Sequence, residues 1–238
     1  MIQAAINGAR SAEFHAALPL TVDAMVHDVQ ACLASGASEI HLHPRNAAGA
    51  EDLAAVSQTI RAIRLASGDA PLGVSTGAWI EKDAAETRRK IAAWTDLPDY
   101  ASVNLSEDDA YAVMDLLIEK GVGIEAGLAS AADAERLLAY PKASQILRVL
   151  IEIAETELEQ AIAATRAIEA VLEKGGLKRP ILLHAYDPIV WPFVDEAWAR
   201  GFDTRVGLED GKMLPDGSEA KSNAVLVAAA ATIFKKER

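Results

Sequence analysis

Eight short apolar, β-branched runs recur along the chain: IQAAIN, SEIHLH, PLGVS, YASVN, GVGIE, LRVLIE, PILLH and DTRVGLE. Most gaps between them carry apolar residues three and four apart, as in TVDAMVHDVQACLAS, EDLAAVSQTIRAIRLAS, EDDAYAVMDLLIEK, SAADAERLLAY and ETELEQAIAATRAIEAVLEK. The runs read as strands and the gaps as helices. Thr21, Ser106 and Ser130 stand where helix N-caps are expected, and Gly36, Gly121 and Gly175 where helices end. No low-complexity or Pro/Ser-rich linker interrupts the alternation, which predicts one domain over residues 1–238. Strand and helix repeated eight times in 238 residues point to an α/β fold, a (β/α)8 TIM barrel. An open doubly wound sheet is the alternative, but it rarely needs eight such regular units.

Composition narrows the function classes. Hydrophobic residues make up 51% of the chain but aromatics only 5%, so the core is expected to be mostly Ala, Leu, Ile and Val. A net charge of -12 repels phosphate backbones and anionic lipid, which argues against nucleic-acid and membrane partners. Cys32 is the only cysteine, so no intrachain disulfide forms and a reducing compartment fits. The opening MIQAAINGAR lacks a basic segment followed by a long apolar one, so no signal peptide is expected. AVLVAAAATIF is too short to span a bilayer and reads as a buried helix. The expectation is a cytoplasmic protein.

Strand side chains alternate between two faces. In SEIHLH, Ile40 and Leu42 share the face suited to packing on helices, while Glu39, His41 and His43 share the other. Both imidazoles then point into the barrel near the C-terminal end of the strand. In the other strands the inward parity ends on Asn7, Ser75, Asn104, Glu125, Glu152, His184 and Glu209. A polar ring at the C-terminal mouth is where barrel enzymes keep their chemistry. Strand ends meet polar loops, so part of such a ring belongs to any barrel. Two histidines and three glutamates are more than that, and buried carboxylates need partners. A divalent metal held by His41, His43 and one of Glu209, Glu125 or Glu152 would supply one. Two interior histidines with satisfied hydrogen bonds are the equal alternative. A two-metal hydrolase site is hard to assemble, because no histidine falls between His43 and His184.

The stretches INGAR, EIHLHPRN, VSTGAW, ASVNLSE, GIEAGL and DTRVGLEDGKMLPDGSEAKSNAVLV resemble the β-keto acid cleavage enzyme family, in the same order and over nearly the whole chain. HLHPR together with RVGLED carries most of that resemblance. It implies a (β/α)8 barrel with one Zn2+ per chain, working as a homo-oligomer, a tetramer foremost. It implies a reaction between a β-keto acid and acetyl-CoA that yields acetoacetate and a new acyl-CoA. His41, His43 and Glu209 would be the zinc ligands, and Arg205 with Asp210 the pair that assists proton removal. Ser75, Asn104 and Glu125 would line the substrate pocket, and Asn7, Arg10, Thr76, Gly77, Ser106 and His184 complete the expected substrate set. A metal acting as Lewis acid suits a β-keto acid, whose carbonyl oxygens need charge stabilisation when the proton between them leaves.

The sequence also departs from the family pattern. Arg10 follows NGA where the branch that cleaves an amino-substituted keto acid carries an acidic residue. Arg10 is expected to face a substrate carboxylate or another electron-rich group, or else to be a solvated loop charge. Asn46 stands where many relatives carry Asp after Pro-Arg, which leaves open what orients His43. Arg45, Lys212 and Lys221 are expected as loop cations, available to CoA phosphates or simply solvated. Trp79, Trp191 and Phe193 are placed in loops after the third and seventh strands, as pocket walls, lids or subunit contacts. Two rival functions stay open: a CoA-independent metal aldolase or lyase, and a non-catalytic barrel that binds a metabolite.

Overall fold

In the computed structural model, which describes residues 1–235, eight parallel strands close in chain order into a barrel. They are β1 (Ile2–Ala5), β2 (Glu39–Leu42), β3 (Leu72–Ser75), β4 (Tyr100–Asn104), β5 (Gly123–Leu128), β6 (Arg148–Ile153), β7 (Ile181–Ala185) and β8 (Asp203–Val206). The helices are α1 (Val22–Ala34), α2 (Val56–Ser67), α3 (Ala78–Glu81), α4 (Ala84–Ala92), α5 (Ala110–Lys120), α6 (Ala131–Ala139), α7 (Leu158–Lys174), α8 (Val190–Arg200) and α9 (Asn223–Phe234). The fold is thus the single-domain (β/α)8 barrel that the alternation predicts. β8 pairs with β1, Ala4 opposite Val206, so no strand edge is left unpaired. AVLVAAAATIF lies in α9, and no described helix is long and apolar enough to cross a membrane.

Local chemistry explains most element ends. Thr21 Oγ1 accepts from Ala24 N–H at the start of α1, and Ser130 Oγ accepts from Asp133 N–H at the start of α6. Ser106 is a correction: α5 begins only at Ala110, with Asp109 as the preceding residue. Glu107 is drawn away to accept from the Ala78 N–H at 2.9 Å, which holds this segment as a loop against α3. Trp191 and Phe193 are a second correction. They lie in α8 rather than in a loop, and both are buried. Pro192 reads as a helix breaker, but it falls in the first turn, where no N–H partner is lost.

The outward faces of the strands, among them Ile40, Val74, Val103, Ile124 and Leu183, are buried against the helices. The interior of the lower barrel is polar instead. Gln3 Nε2 lies 2.9 Å from Glu39 Oε1, 2.9 Å from Tyr100 Oη and 3.1 Å from Glu125 Oε2. Arg148 Nε donates to Glu125 Oε2 at 2.6 Å, its Nη2 donates to Glu39, and its guanidinium lies 4.7 Å from the Tyr100 ring centroid. Glu125 is therefore not at the mouth. β5 runs on to Leu128, so the last inward position is Gly127 and Glu125 sits one layer down, fully buried. 

The closing seam leaves no room at Gly207: an added Cβ would lie 1.9 Å from the carbonyl oxygen of Ala5. Backbone atoms in a paired strand cannot yield as a side chain can. Gly207→Ala is expected to cost about 3 kcal/mol or more, read as a lower urea midpoint with the unfolding slope unchanged.

Candidate active site

His41 is the last inward residue of β2, and His43 follows one residue past the strand end. Glu209 reaches them from the turn after β8. That turn is held by Asp210 N–H to Gly207 O at 2.9 Å and by Asn223 at the head of α9. Asn223 takes the Leu208 N–H on its Oδ1 at 2.7 Å and donates to Ile6 O at 2.8 Å. Glu209 Oε1 then lies 3.8 Å from His41 Nε2 and 3.4 Å from His43 Nε2. One donor atom from each of the three side chains lies within 4.8 Å of the others. They border a cavity of about 290 Å³ at the C-terminal mouth.

The outer nitrogens of the two imidazoles are engaged. Ser102 Oγ donates to Glu125 Oε1 at 2.6 Å, so at 3.4 Å from His41 Nδ1 it is placed to accept that N–H. His43 Nδ1 is bonded to Glu51 Oε1. Both rings therefore turn Nε2 toward Glu209. Glu209 Oε1 accepts from Arg205 Nη2 at 3.0 Å, whereas Oε2 is buried without a hydrogen-bond partner among the described residues. Such an orphaned oxygen is costly unless a cation takes it. The charge count agrees: Glu39, Glu125, Glu209 and Asp210 are buried inside the barrel against the guanidiniums of Arg148 and Arg205. Two imidazole nitrogens and a carboxylate fit a divalent transition metal, whose positive charge would offset part of that negative excess.

Electrostatics separate the two histidines. Burial pulls the His41 imidazole down to about 4, so it is neutral at pH 7. Burial also opposes charge on His43, but Glu209 and Glu51 outweigh it and raise the pKa to about 9. Burial alone would raise Glu209, yet Arg205 and the two imidazoles hold it well below the usual carboxylate range. Asp210 is different: burial pushes its carboxyl up, even against the pull of Arg205. Glu152, at the cavity wall, is held at about 2 against its burial by His184 and Arg205.

The other expected site residues divide between wall and frame. Arg10, Ser75, Asn104, Glu152, Arg205 and Glu209 border the cavity with His41 and His43. Arg10 donates from Nε to Glu209 O at 3.1 Å and stacks 4.2 Å above Phe14, so it is no free loop charge. Asp210 is fully buried behind Arg205, which it grips through both oxygens. His184 is also buried, 3.3 Å from Glu152 Oε2 and 3.4 Å from Asp210 Oδ1, outside the cavity wall. Asn7 is a latch: its Nδ2 donates to Pro19 O and His43 O, and its Oδ1 accepts the His43 N–H at 2.8 Å. Thr76 joins β3 to β4 through Ser102 O at 2.8 Å. Gly77 lies beneath the Trp79 indole, and Ser106 is exposed on the outside, away from the cavity. 

Arg45 is not a free cation. Buried, it donates to the backbone oxygens of Gly8, Arg10 and Gly49. Lys212 is partly buried, 3.6 Å from Glu219, while Lys221 is exposed. Trp79 and Tyr186 form further wall. Ser102, Glu51 and Tyr186 escape a reading of strand ends. Ser102 carries the inward parity of β4 and was open to that signal; Glu51 and Tyr186 lie in loops, where parity says nothing.

Fold and site together define a barrel enzyme architecture with a two-histidine, one-carboxylate centre at its C-terminal mouth. The chain belongs to the beta-keto acid cleavage enzyme family (BKACE), whose family model matches residues 1–184 and 182–237. No curated protein matches it. Among solved structures it is similar to ObcA in a ternary complex with a C4-CoA adduct and oxalate: TM-score 0.74 at 18% identity, covering 90% of this chain and 63% of ObcA. The binary complex of ObcA with oxaloacetate gives 0.73 at 17% identity, with the same coverage of both chains. A 3-dehydroquinate dehydratase from Geobacillus kaustophilus follows at TM-score 0.67 and 14% identity, over 98% of this chain and 89% of that one. At these identities the structural likeness shows the fold.

Metal binding needs both Nε2 lone pairs free. At pH 7 His41 is already neutral, and His43, with a pKa of about 9, must lose its proton. Titration of the metal-free protein with Zn2+ in buffers of different ionisation enthalpy is expected to show about one proton released per ion. Affinity should rise about tenfold per pH unit as pH climbs from about 5 toward 9, and then level off.

Proposed function

We propose that this protein is a zinc-dependent β-keto acid cleavage enzyme that converts a β-keto acid and acetyl-CoA into acetoacetate and a new acyl-CoA. One observation carries the reading. In a chain of this family, His41, His43 and Glu209 converge on one cavity, and Glu209 Oε2 has no other partner there. Zn2+ held by these three residues supplies Lewis acidity for the substrate's carbonyl oxygens.

The chain's own residues do the rest. Arg205 faces the cavity and neutralises negative charge that develops as the proton between the two carbonyls is lost. Asp210, whose proton affinity burial raises, is the proton's final acceptor: Arg205 passes a proton to it along the Nη2–Oδ1 contact as it takes the substrate's proton, so the guanidinium keeps its charge. Because Asp210 does not border the cavity, it acts through Arg205 and not by direct contact. Ser75 and Asn104 offer hydrogen bonds to the substrate, and Arg10 places a cation on one wall for a carboxylate or another electron-rich group. The cavity has room for a small acid and the reacting end of the thioester, so the nucleotide end of CoA stays outside the mouth. Cys32 is assigned no covalent step, since it is buried on α1, where burial pushes its thiol up. The reading includes a cytoplasmic setting and a homo-oligomer, with a tetramer foremost.

The test is acetoacetate formation from acetyl-CoA and a panel of neutral, amino-bearing and dicarboxylic β-keto acids, using zinc-loaded protein. Acetoacetate with at least one acid is expected; none with any acid overturns the reading. Asp210→Asn should lower kcat by roughly 10²–10⁴-fold while zinc content stays the same. Arg10→Glu should move the preference from acidic toward amino-bearing acids; an unchanged ranking would remove Arg10 from substrate recognition.

A further inference from the structure

The loop after β2 folds back on itself. Asn46 N–H donates to Ala50 O at 2.8 Å, Gly49 N–H donates to Asn46 O at 2.9 Å, and Asn46 Oδ1 accepts from the N–H groups of Ala48 and Ala50. Gly49 has φ +80°, a conformation that glycine takes without strain. The returning arm pairs Glu51 with Arg45 in an antiparallel bridge. That turn lays Glu51 against His43, eight residues earlier in the chain. Asn46 is thus consumed by the turn, and Glu51 is the carboxylate on His43 Nδ1.

Glu51 is held in turn from α3, the short helix after β3. Its Oε2 accepts from Trp79 Nε1 at 3.1 Å, and the Trp79 indole stacks along the His43 ring, centroids 6.3 Å apart and planes 24° from parallel. The indole can lie there only because residue 77 is glycine: a Cβ would stand 2.2 Å from Trp79 Cη2. The loop after β2 and the helix α3, where Trp79 lies rather than in the expected loop, therefore build one chain of contacts, indole to carboxylate to imidazole.

We propose that Glu51, fixed by Trp79, is the positioning residue for His43. It keeps the proton on Nδ1, turns the Nε2 lone pair toward Glu209, and so sets the affinity of the His41, His43 and Glu209 site for its divalent metal. A carboxylate on the far nitrogen of a ligating imidazole locks its tautomer and raises its basicity. This inference rests on the metal site of the proposed function and not on which acid is cleaved.

The experiment compares wild-type protein with Glu51→Ala, Glu51→Gln and Trp79→Phe. Zn2+ affinity is read by competition with a chromophoric chelator, the Co2+ absorption spectrum reports ligand geometry, and thermal melting of metal-free protein reports the fold. Glu51→Ala is expected to weaken Zn2+ binding roughly 10–100-fold and to shift the Co2+ bands. Glu51→Gln should recover much of that loss, since its amide oxygen still accepts the Nδ1 proton. Trp79→Phe, which keeps a ring but loses the N–H donor, should give a smaller loss in the same direction. Unchanged affinity in Glu51→Ala overturns the proposal. So does an equal loss in Glu51→Ala and Glu51→Gln that tracks a lower melting temperature. Should Glu51→Ala fail to fold, Glu51→Gln and Trp79→Phe decide alone: wild-type affinity in Trp79→Phe with unchanged Co2+ bands counts against it. Zn2+ binding that depends on Glu51, in protein that makes no acetoacetate, upholds this inference while the proposed reaction falls. Wild-type protein that takes up no Zn2+ overturns both.

Discussion

Inside the barrel, Arg148 and Arg205 face four buried carboxylates, and the arrangement of the site follows from how those charges are divided. Arg148 takes Glu39 and Glu125 in the lower layer, and Arg205 takes Glu209 and Asp210 in the upper one. Removing one partner from a buried pair typically costs about 3–5 kcal/mol, because the remaining charge has lost its solvent and its counterion together. These side chains are therefore fixed before any ligand arrives. The fixed positions are passed upward: Glu125 holds Ser102, Ser102 meets His41, and Arg205 holds Glu209 beside both imidazoles.

The candidate metal site built this way draws its residues from opposite ends of the chain. His41 and His43 come from β2 and Glu209 from beyond β8, and they meet because β1 alone separates those strands in the closed barrel. Asn7 and Asn223 bind the two sides of that seam, one to the backbone of His43, the other to Leu208 and Ile6. Arg10, Glu152 and Tyr186 bring both signs of charge and a phenol to the cavity, and substrate discrimination on this reading lies with them.

Much of this was legible in the residues. Periodicity located all eight strands and the helices α1, α2, α5, α6, α7 and α9, though not α3, α4 or α8, and period-two parity put His41 and His43 on the inner face. Parity failed where a strand ran longer than its apolar run, so Glu125 was assigned to the mouth although it sits a layer below. Thr76, expected in the pocket from the family resemblance, instead turns away to bond the β4 backbone. Trp191 and Phe193 were assigned to a loop after the seventh strand, yet they lie in α8, whose first turn keeps Pro192 without losing the helix.

The sequence by itself determined what depends on near neighbours: strand and helix periods, caps such as Thr21 and Ser130, the inward face of β2, and the order of elements that forces a closed parallel sheet. Tertiary structure alone decided which polar groups meet across the barrel. Ser102 reaches His41 through strand register, Asp210 lies behind Arg205 through the turn after β8, and Glu51 reaches His43 through a hairpin braced by an indole from α3. The physical reason is range. Backbone propensity and hydrophobic period act over a few residues, whereas a hydrogen bond between buried side chains is set by angles and distances that exist only once the barrel has closed.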